Sequence, residues 1–212
     1  MRLSTTLARC HSIARTPVVG QLDQFDKLLE AARTGQVSYG LTGEQRYILY
    51  FLACETGLRR GELRSITPAC IDLVNSCVFI KGENTKNKDD AVQFFTPETG
   101  RLLREYIKDK PDDMQLFPIH DKSAKMIQAD CEAAGIELTN HNGTLNFHSL
   151  RHTCGSFLAV LGAQPKEVME IMRHHDINLT MARYAHLLSG RKQAAVNLLR
   201  KGQEKKNEKL SA

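Results

Sequence analysis

Thr56-Gly57-Leu58-Arg59-Arg60-Gly61-Glu62-Leu63 is the stretch on which the reading of this chain turns. Upstream, Thr42 followed three places later by Gln45 has the form of a capping box, and Tyr47, Ile48, Tyr50, Phe51, Leu52 and Ala53 run on as a core helix toward a stop at Gly57. Downstream, residues 71–73, 78–80 and 91–95 are short apolar runs. They are split by Asn75-Ser76 and by a polar connection over 81–90, which predicts a small antiparallel meander. The quoted stretch therefore joins a buried helix to the strands. A guanidinium fixed just past a helix exit can clamp two phosphate oxygens with its planar fork. Taken alone, an arginine there also simply complements the helix dipole.

Working outward, Leu22, Phe25, Leu28, Leu29 and Ala32 recur at helical spacing and predict a helix over 21–33, with Gly35 past its exit. Thr96-Pro97 opens another helix, and Asp121 is expected to cap one reaching Ala134 before Gly135. Further helices are expected over 147–161, 165–172, 179–187 and 189–199, with starts suggested by Pro165, Asn178 and Ser189. The fold class is thus α+β, predominantly α-helical with a small three-stranded antiparallel sheet. Residues 1–20 carry Arg2, Arg9, Arg15 and His11 among small residues and are expected to be a flexible basic arm. The ordered domain is expected over 21–200, and 201–212 to be a charged tail.

Composition narrows the class without fixing it. The 212 residues are 42% hydrophobic and 25% charged, enough for one domain with a real core. A formal charge of +5 is a mild bias toward polyanions. Six scattered cysteines without a CxxC pair point to a reduced, cytoplasmic protein whose thiols behave as small hydrophobes. No apolar run approaches the roughly 20 residues that span a bilayer, so no membrane role is expected.

Three further segments carry residues suited to a phosphodiester. In His148-Ser149-Leu150-Arg151-His152-Thr153, His148 and Arg151 lie three apart on one helix and can project to one point; a solvated polar face is the plain alternative. The polar connection over 81–90 holds Lys81, Lys86 and Lys88, any of which could swing in as a proton donor, although most loop lysines only solubilise. The segment from Arg173 to Leu187, RHHDINLTMARYAHL, offers a histidine and, a helix later, Tyr184. A lone helical tyrosine is more often a packed residue.

In this order, TGLRRGEL, a basic hairpin, HSLRHT and RHHDINLTMARYAH, the chain resembles the catalytic domain of the tyrosine recombinases, the phage integrase family. Each block alone is weak, and their joint occurrence in order is specific. The resemblance implies a site-specific DNA recombinase that cuts and rejoins strands through a 3′-phosphotyrosine, with no metal, cofactor or ATP. It implies that Arg59 and Arg151 bind the non-bridging oxygens, His148 serves as general base or phosphate donor, and Lys86 protonates the leaving 5′ oxygen. His174 would hydrogen-bond the phosphate or position the nucleophile, Tyr184 would attack phosphorus, and Glu62 would brace the arginine block. Lys86 fits the family's T-K-x form, with Lys81 and Lys88 close by. Arg173 stands where a glycine is usual, and the doubled His174-His175 leaves His175 as the fallback. Double-stranded DNA is the implied partner, bound by a homo-tetramer in a prokaryotic cytoplasm, with the helix about 189–200 exchanged between protomers or folded back on its own core. A non-catalytic DNA-binding remnant and a type IB topoisomerase-like relaxing enzyme are the competing functions. A metal site built on His141, His148, His152, His174, His175 and Cys154 lacks the spacing of zinc motifs.

Overall fold

The structure, a computed structural model, describes residues 22–140 and 143–188. The basic arm, the helix expected over 189–199, the charged tail, Cys10 and His141 lie outside the described residues. The chain divides into two units, Met1–Phe157 and Leu158–Ala212.

In the first unit, α1 (Leu22–Thr34) buries Phe25, Leu28, Leu29 and Ala32, the stripe its periodicity predicts, and packs on α2 (Gly43–Thr56) and α5 (Ser123–Ala133). The capping box of α2 is formed: Gln45 N–H donates to Thr42 Oγ1 at 3.2 Å, and Thr42 N–H to Gln45 Oε1 at 2.9 Å. Gly57 ends α2 with φ 61°, the left-handed conformation that costs glycine least.

The unit is knotted together by a charge that periodicity does not reveal. Arg46, 1% exposed, donates from Nε to Asp130 Oδ2 at 2.9 Å and from Nη2 to Oδ1 at 3.2 Å. Its other N–H groups reach the carbonyls of Gln36, Leu41 and Ala32, and Tyr50 Oη donates to Asp130 at 2.7 Å. A Cβ on Gly35 would stand 2.7 Å from Arg46 Nη2, so a glycine is needed where the guanidinium passes.

The predicted meander forms as β1 (Ile71–Asp72), β2 (Cys77–Ile80) and β3 (Ala91–Phe94), antiparallel in that order, with Val78 opposite Gln93 and Ile80 opposite Ala91 on the buried face. The β1–β2 connection is an Asx turn in which Asp72 Oδ1 accepts the Val74 and Asn75 N–H groups, both at 2.9 Å. It ends on Ser76 at φ 52°. A left-handed serine is strained, so Ser76→Gly is expected to raise stability by about 0.5 kcal/mol, after glycine's own entropy cost is subtracted. A raised urea midpoint at unchanged slope checks this; a lowered midpoint would mean that the hydroxyl holds the turn.

Helix α3 (Arg60–Arg64) and α4 (Pro97–Ile107) flank the sheet in sequence; a further two-stranded ribbon, β4 (Thr139–Asn140) and β5 (Gly143–Thr144), adds to the expected sheet. α6 (Phe147–Leu161) has the expected span. In the second unit α7 (Pro165–Ile171) packs on α8 (Ile177–Leu188).

Two expected helix starts are corrected. Asp121 does not cap α5, whose cap position is Lys122; Asp121 is drawn instead toward Arg60 and Arg64. α8 begins at Ile177 and not near Leu179, because Asp176 Oδ1 accepts the Asn178 N–H at 2.8 Å and makes Asp176 the cap. Burial pushes the Cys131 and Cys154 thiols up to about 12, which keeps them protonated and inert. Among the described residues no helix is long and apolar enough to cross a membrane.

Candidate active site

The helix exit at Gly57 organises the first half of the site. Past it Leu58 is buried, and Arg59 sits in extended conformation (φ −76°, ψ 155°) immediately before α3. Glu62, on the first turn of α3, holds Arg59 at both ends. Its Oε2 accepts the Arg59 backbone N–H at 2.7 Å, and its Oε1 accepts from Nη1 at 3.1 Å. The carboxylate is 1% exposed and the guanidinium 25%, so a buried anion fixes the rotamer of a cation that still reaches solvent. This is the bracing role expected of Glu62.

α6 supplies the next two residues. Asn146 starts it, accepting the His148 N–H on Oδ1 at 2.8 Å while its own N–H donates to Ser149 Oγ at 3.1 Å. His148 thereby stands exposed on the first turn, its ring edge-on to that of His152 at 4.7 Å. Arg151, one turn along, is buried and donates from Nη1 to the Gly57 carbonyl. That bond brings the two arginines together: the residue two before Arg59 in the chain is the one that Arg151 grips.

Lys86 lies on the β2–β3 connection. Its base is tied by Gly82 N–H to Asp90 Oδ1 at 2.7 Å, and by the buried Thr85 hydroxyl lying 3.0 Å from the Gly82 carbonyl and 2.9 Å from that of Asp89. A Cβ on Gly82 would fall 2.3 Å from the Lys88 carbonyl, so the loop closes tightly on a glycine. Lys81, Lys86 and Lys88 are all exposed; Lys88 Nζ turns back to the Glu83 carbonyl at 3.5 Å, whereas Lys86 follows directly on the buried Thr85.

In the second unit the chain leaves α7 through Arg173 at φ 47°. The left-handed conformation explains why a glycine suits this position, and the arginine tolerates it at a cost. His174 N–H then bonds the Met169 carbonyl at 3.0 Å, and its ring Nδ1 lies 2.8 Å from Thr180 Oγ1. Thr180 is fully buried and one helical turn before Tyr184, itself 1% exposed. His174 is thus bonded to the helix that carries Tyr184, through Thr180 one turn before it, while His175 is exposed. Sequence reasoning gave Thr180 no role, although its four-residue spacing from Tyr184 was the available signal. The Gly57 carbonyl and Asn146 were likewise missed, because a backbone acceptor and a helix cap carry no side-chain signature of chemistry.

The geometry finds company among known proteins. The tyrosine recombinase XerA of Saccharolobus solfataricus is 34% identical over 138 residues, covering 65% of this chain and 44% of that protein. The tyrosine recombinase XerC of Lactobacillus leichmannii is 29% identical over 147 residues, covering 62% and 47%. The chain thus spans about half the length of these curated relatives. Among solved structures, that of XerA recombinase superposes with a TM-score of 0.65 at 21% identity, over 85% of this chain and 66% of that one. The catalytic domain of bacteriophage HP1 integrase gives 0.63 at 21%, over 87% and 95%. XerH bound to its difH substrate gives 0.65 at 19%, over 89% and 56%. At these identities the likeness shows the fold, that of the tyrosine recombinase catalytic domain. The family model described as phage integrase matches residues 21–203, a span that takes in every block from Arg59 to Tyr184, and on that match the chain belongs to the phage integrase family.

Proposed function

We propose that this chain is the catalytic part of a site-specific recombinase that cleaves and rejoins duplex DNA through a covalent bond at Tyr184. The observation that carries the reading is the tether from Arg151 to the Gly57 carbonyl, which sets two guanidiniums at one corner of the first unit, with Glu62 fixing the second of them. Two such cations suit the non-bridging oxygens of a phosphodiester, where charge grows as phosphorus becomes pentacoordinate.

The reaction balances without an external co-reactant. Tyr184 Oη loses its proton to His148 and forms a bond to phosphorus. The bond from phosphorus to the 5′ oxygen breaks, and Lys86 gives that oxygen a proton. His174, supported by Thr180 on the helix that carries Tyr184, serves the phosphate or the nucleophile. Rejoining reverses each transfer, so the covalent intermediate conserves the phosphodiester bond and no ATP is consumed. Double-stranded DNA as partner agrees with the XerH neighbour, whose structure was solved on its difH substrate. Recombination requires two duplexes, for which a homo-tetramer is the simplest assembly, and a prokaryotic cytoplasm is the setting that suits it.

A nicked suicide duplex carrying a candidate attachment site tests this. Cleavage near the nick releases a short strand and traps the intermediate, so a denaturing gel is expected to show a protein–DNA adduct mapping to Tyr184 and absent from Tyr184→Phe. Binding without any adduct, or an adduct at another residue, would sink the proposal.

A further inference from the structure

From Ser149 to Ser156 every residue of α6 is buried except His152, which is half-buried. Its ring meets that of His148, four residues earlier on the same face of the helix, with centroids 4.7 Å apart and planes at 84°. Aromatic rings attract each other in this edge-to-face arrangement, and each limits the turning of the other. The exposed His148 therefore has a neighbour that sets the plane of its imidazole.

The charge on that neighbour matters, because of where His148 stands. As general base for Tyr184 it becomes an imidazolium, and several features of the first unit oppose a new positive charge there. His148 lies on the first turn of α6, at the positive end of the helix dipole, and that turn holds no acid. Arg151, bonded to the Gly57 carbonyl, and Arg59, held by Glu62, bring two guanidiniums to the same corner. A bound phosphate offsets these charges, whereas a further cation one turn along α6 would add to them. A neutral ring at position 152 keeps the contact and adds no charge.

We propose that His152 is a positioning residue for the general base: set edge-on to His148 as a neutral ring, it fixes the direction of the nitrogen that accepts the Tyr184 proton and leaves room for the charge that follows. It acts through His148 and touches neither the phosphate nor the proton in flight. The proposal rests on the recombinase reading, because it takes His148 as the base for Tyr184.

Three substitutions in the full chain separate the ring from its charge, each read by single-turnover cleavage of the suicide duplex at saturating protein and by DNA affinity. His152→Gln stays neutral and loses the ring. It is expected to cleave about 10-fold more slowly, part of the roughly 10²–10⁴-fold that a positioned base contributes. His152→Phe restores a neutral ring and is expected to recover the wild-type rate. His152→Lys loses the ring and adds a cation; it is expected to be slower than His152→Gln by about a further 10-fold, the effect of a like charge about 5 Å away in a part-exposed site. Its DNA affinity is nevertheless expected to equal or exceed that of the wild type, since the added cation attracts phosphate. A rate that falls while affinity holds is a split that mere packing would not produce, and retained binding shows that the variants are folded. A His152→Gln chain that cleaves at the wild-type rate, a His152→Phe chain as slow as His152→Gln, or a His152→Lys chain no slower than His152→Gln overturns the proposal. Each of these outcomes presupposes the wild-type adduct at Tyr184. A wild-type chain that binds the duplex and forms no adduct overturns the recombinase chemistry itself, and the role of His152 with it.

Discussion

Asp130→Ala is expected to lower the stability of the chain by about 3–5 kcal/mol, the cost of breaking a buried ion pair and leaving one charge behind. The carboxylate accepts two bonds from Arg46 and one from Tyr50, all within 3.2 Å. Without it a guanidinium that is 1% exposed keeps its charge with only the carbonyls of Gln36, Leu41 and Ala32 around it. Tyr50 also loses its acceptor, while burial, with Asp130 adding to it, already pushes its hydroxyl well above the ordinary range and keeps it a donor. Tyr50→Phe removes one hydrogen bond to a charged group and is expected to cost about 1.5–3 kcal/mol. Arg46→Met with Asp130→Ala is not expected to restore stability, because Arg46 also satisfies three backbone carbonyls that linkage to a hydrophobic side chain would orphan. Urea unfolding followed by circular dichroism measures all three; a loss under about 1 kcal/mol for Asp130→Ala would mean that water enters and solvates the arginine.

That pair also shows where sequence reading stops. The capping box at Thr42, the glycine exit at Gly57 and the meander of short apolar runs split by polar connections were legible because local spacing along the chain encodes them. Arg46 and Asp130 are 84 residues apart, and each looks in isolation like one more surface charge on an amphipathic helix. Asp121 failed as a helix cap for the same reason: its carboxylate is claimed by arginines some 60 residues upstream, at Arg60 and Arg64. Asp176 displaced Asn178 as the start of α8 because both side chains can cap, and only the backbone conformation decides between them. In the candidate site, the order of the motifs named Arg59, Lys86, His148, Arg151, His174 and Tyr184. Of their supports, the Gly57 carbonyl under Arg151 is visible only in three dimensions, whereas the Thr180 hydroxyl beside His174 left a signal in its four-residue spacing from Tyr184.

Arg151→Lys is expected to slow formation of the Tyr184 adduct by roughly 10²–10³-fold, the loss typical of removing one preorganised donor to a developing anion. The substitution keeps the positive charge, so a site that used Arg151 only to attract phosphate would lose little. What lysine lacks is the planar fork. The arginine donates one N–H to the Gly57 carbonyl, which fixes the plane of the guanidinium, and on the proposed reading its planar fork meets the phosphate oxygens in a set direction. An ammonium carries three donors on one atom and cannot hold the carbonyl while presenting a parallel pair elsewhere. The loss belongs in the rate at saturating protein and not in the affinity, because charge growth on the non-bridging oxygens occurs on the way to the transition state. Single-turnover cleavage of the suicide duplex separates the two. Glu62→Gln, which leaves Arg59 its charge and weakens its brace, is expected to give a smaller drop in the same rate, since the amide oxygen still accepts one of the two bonds now made by the carboxylate. A wild-type rate in Arg151→Lys with only weaker binding would reassign Arg151 to anchoring the backbone, and the cation that stabilises the reacting phosphate would then have to be Arg59 alone.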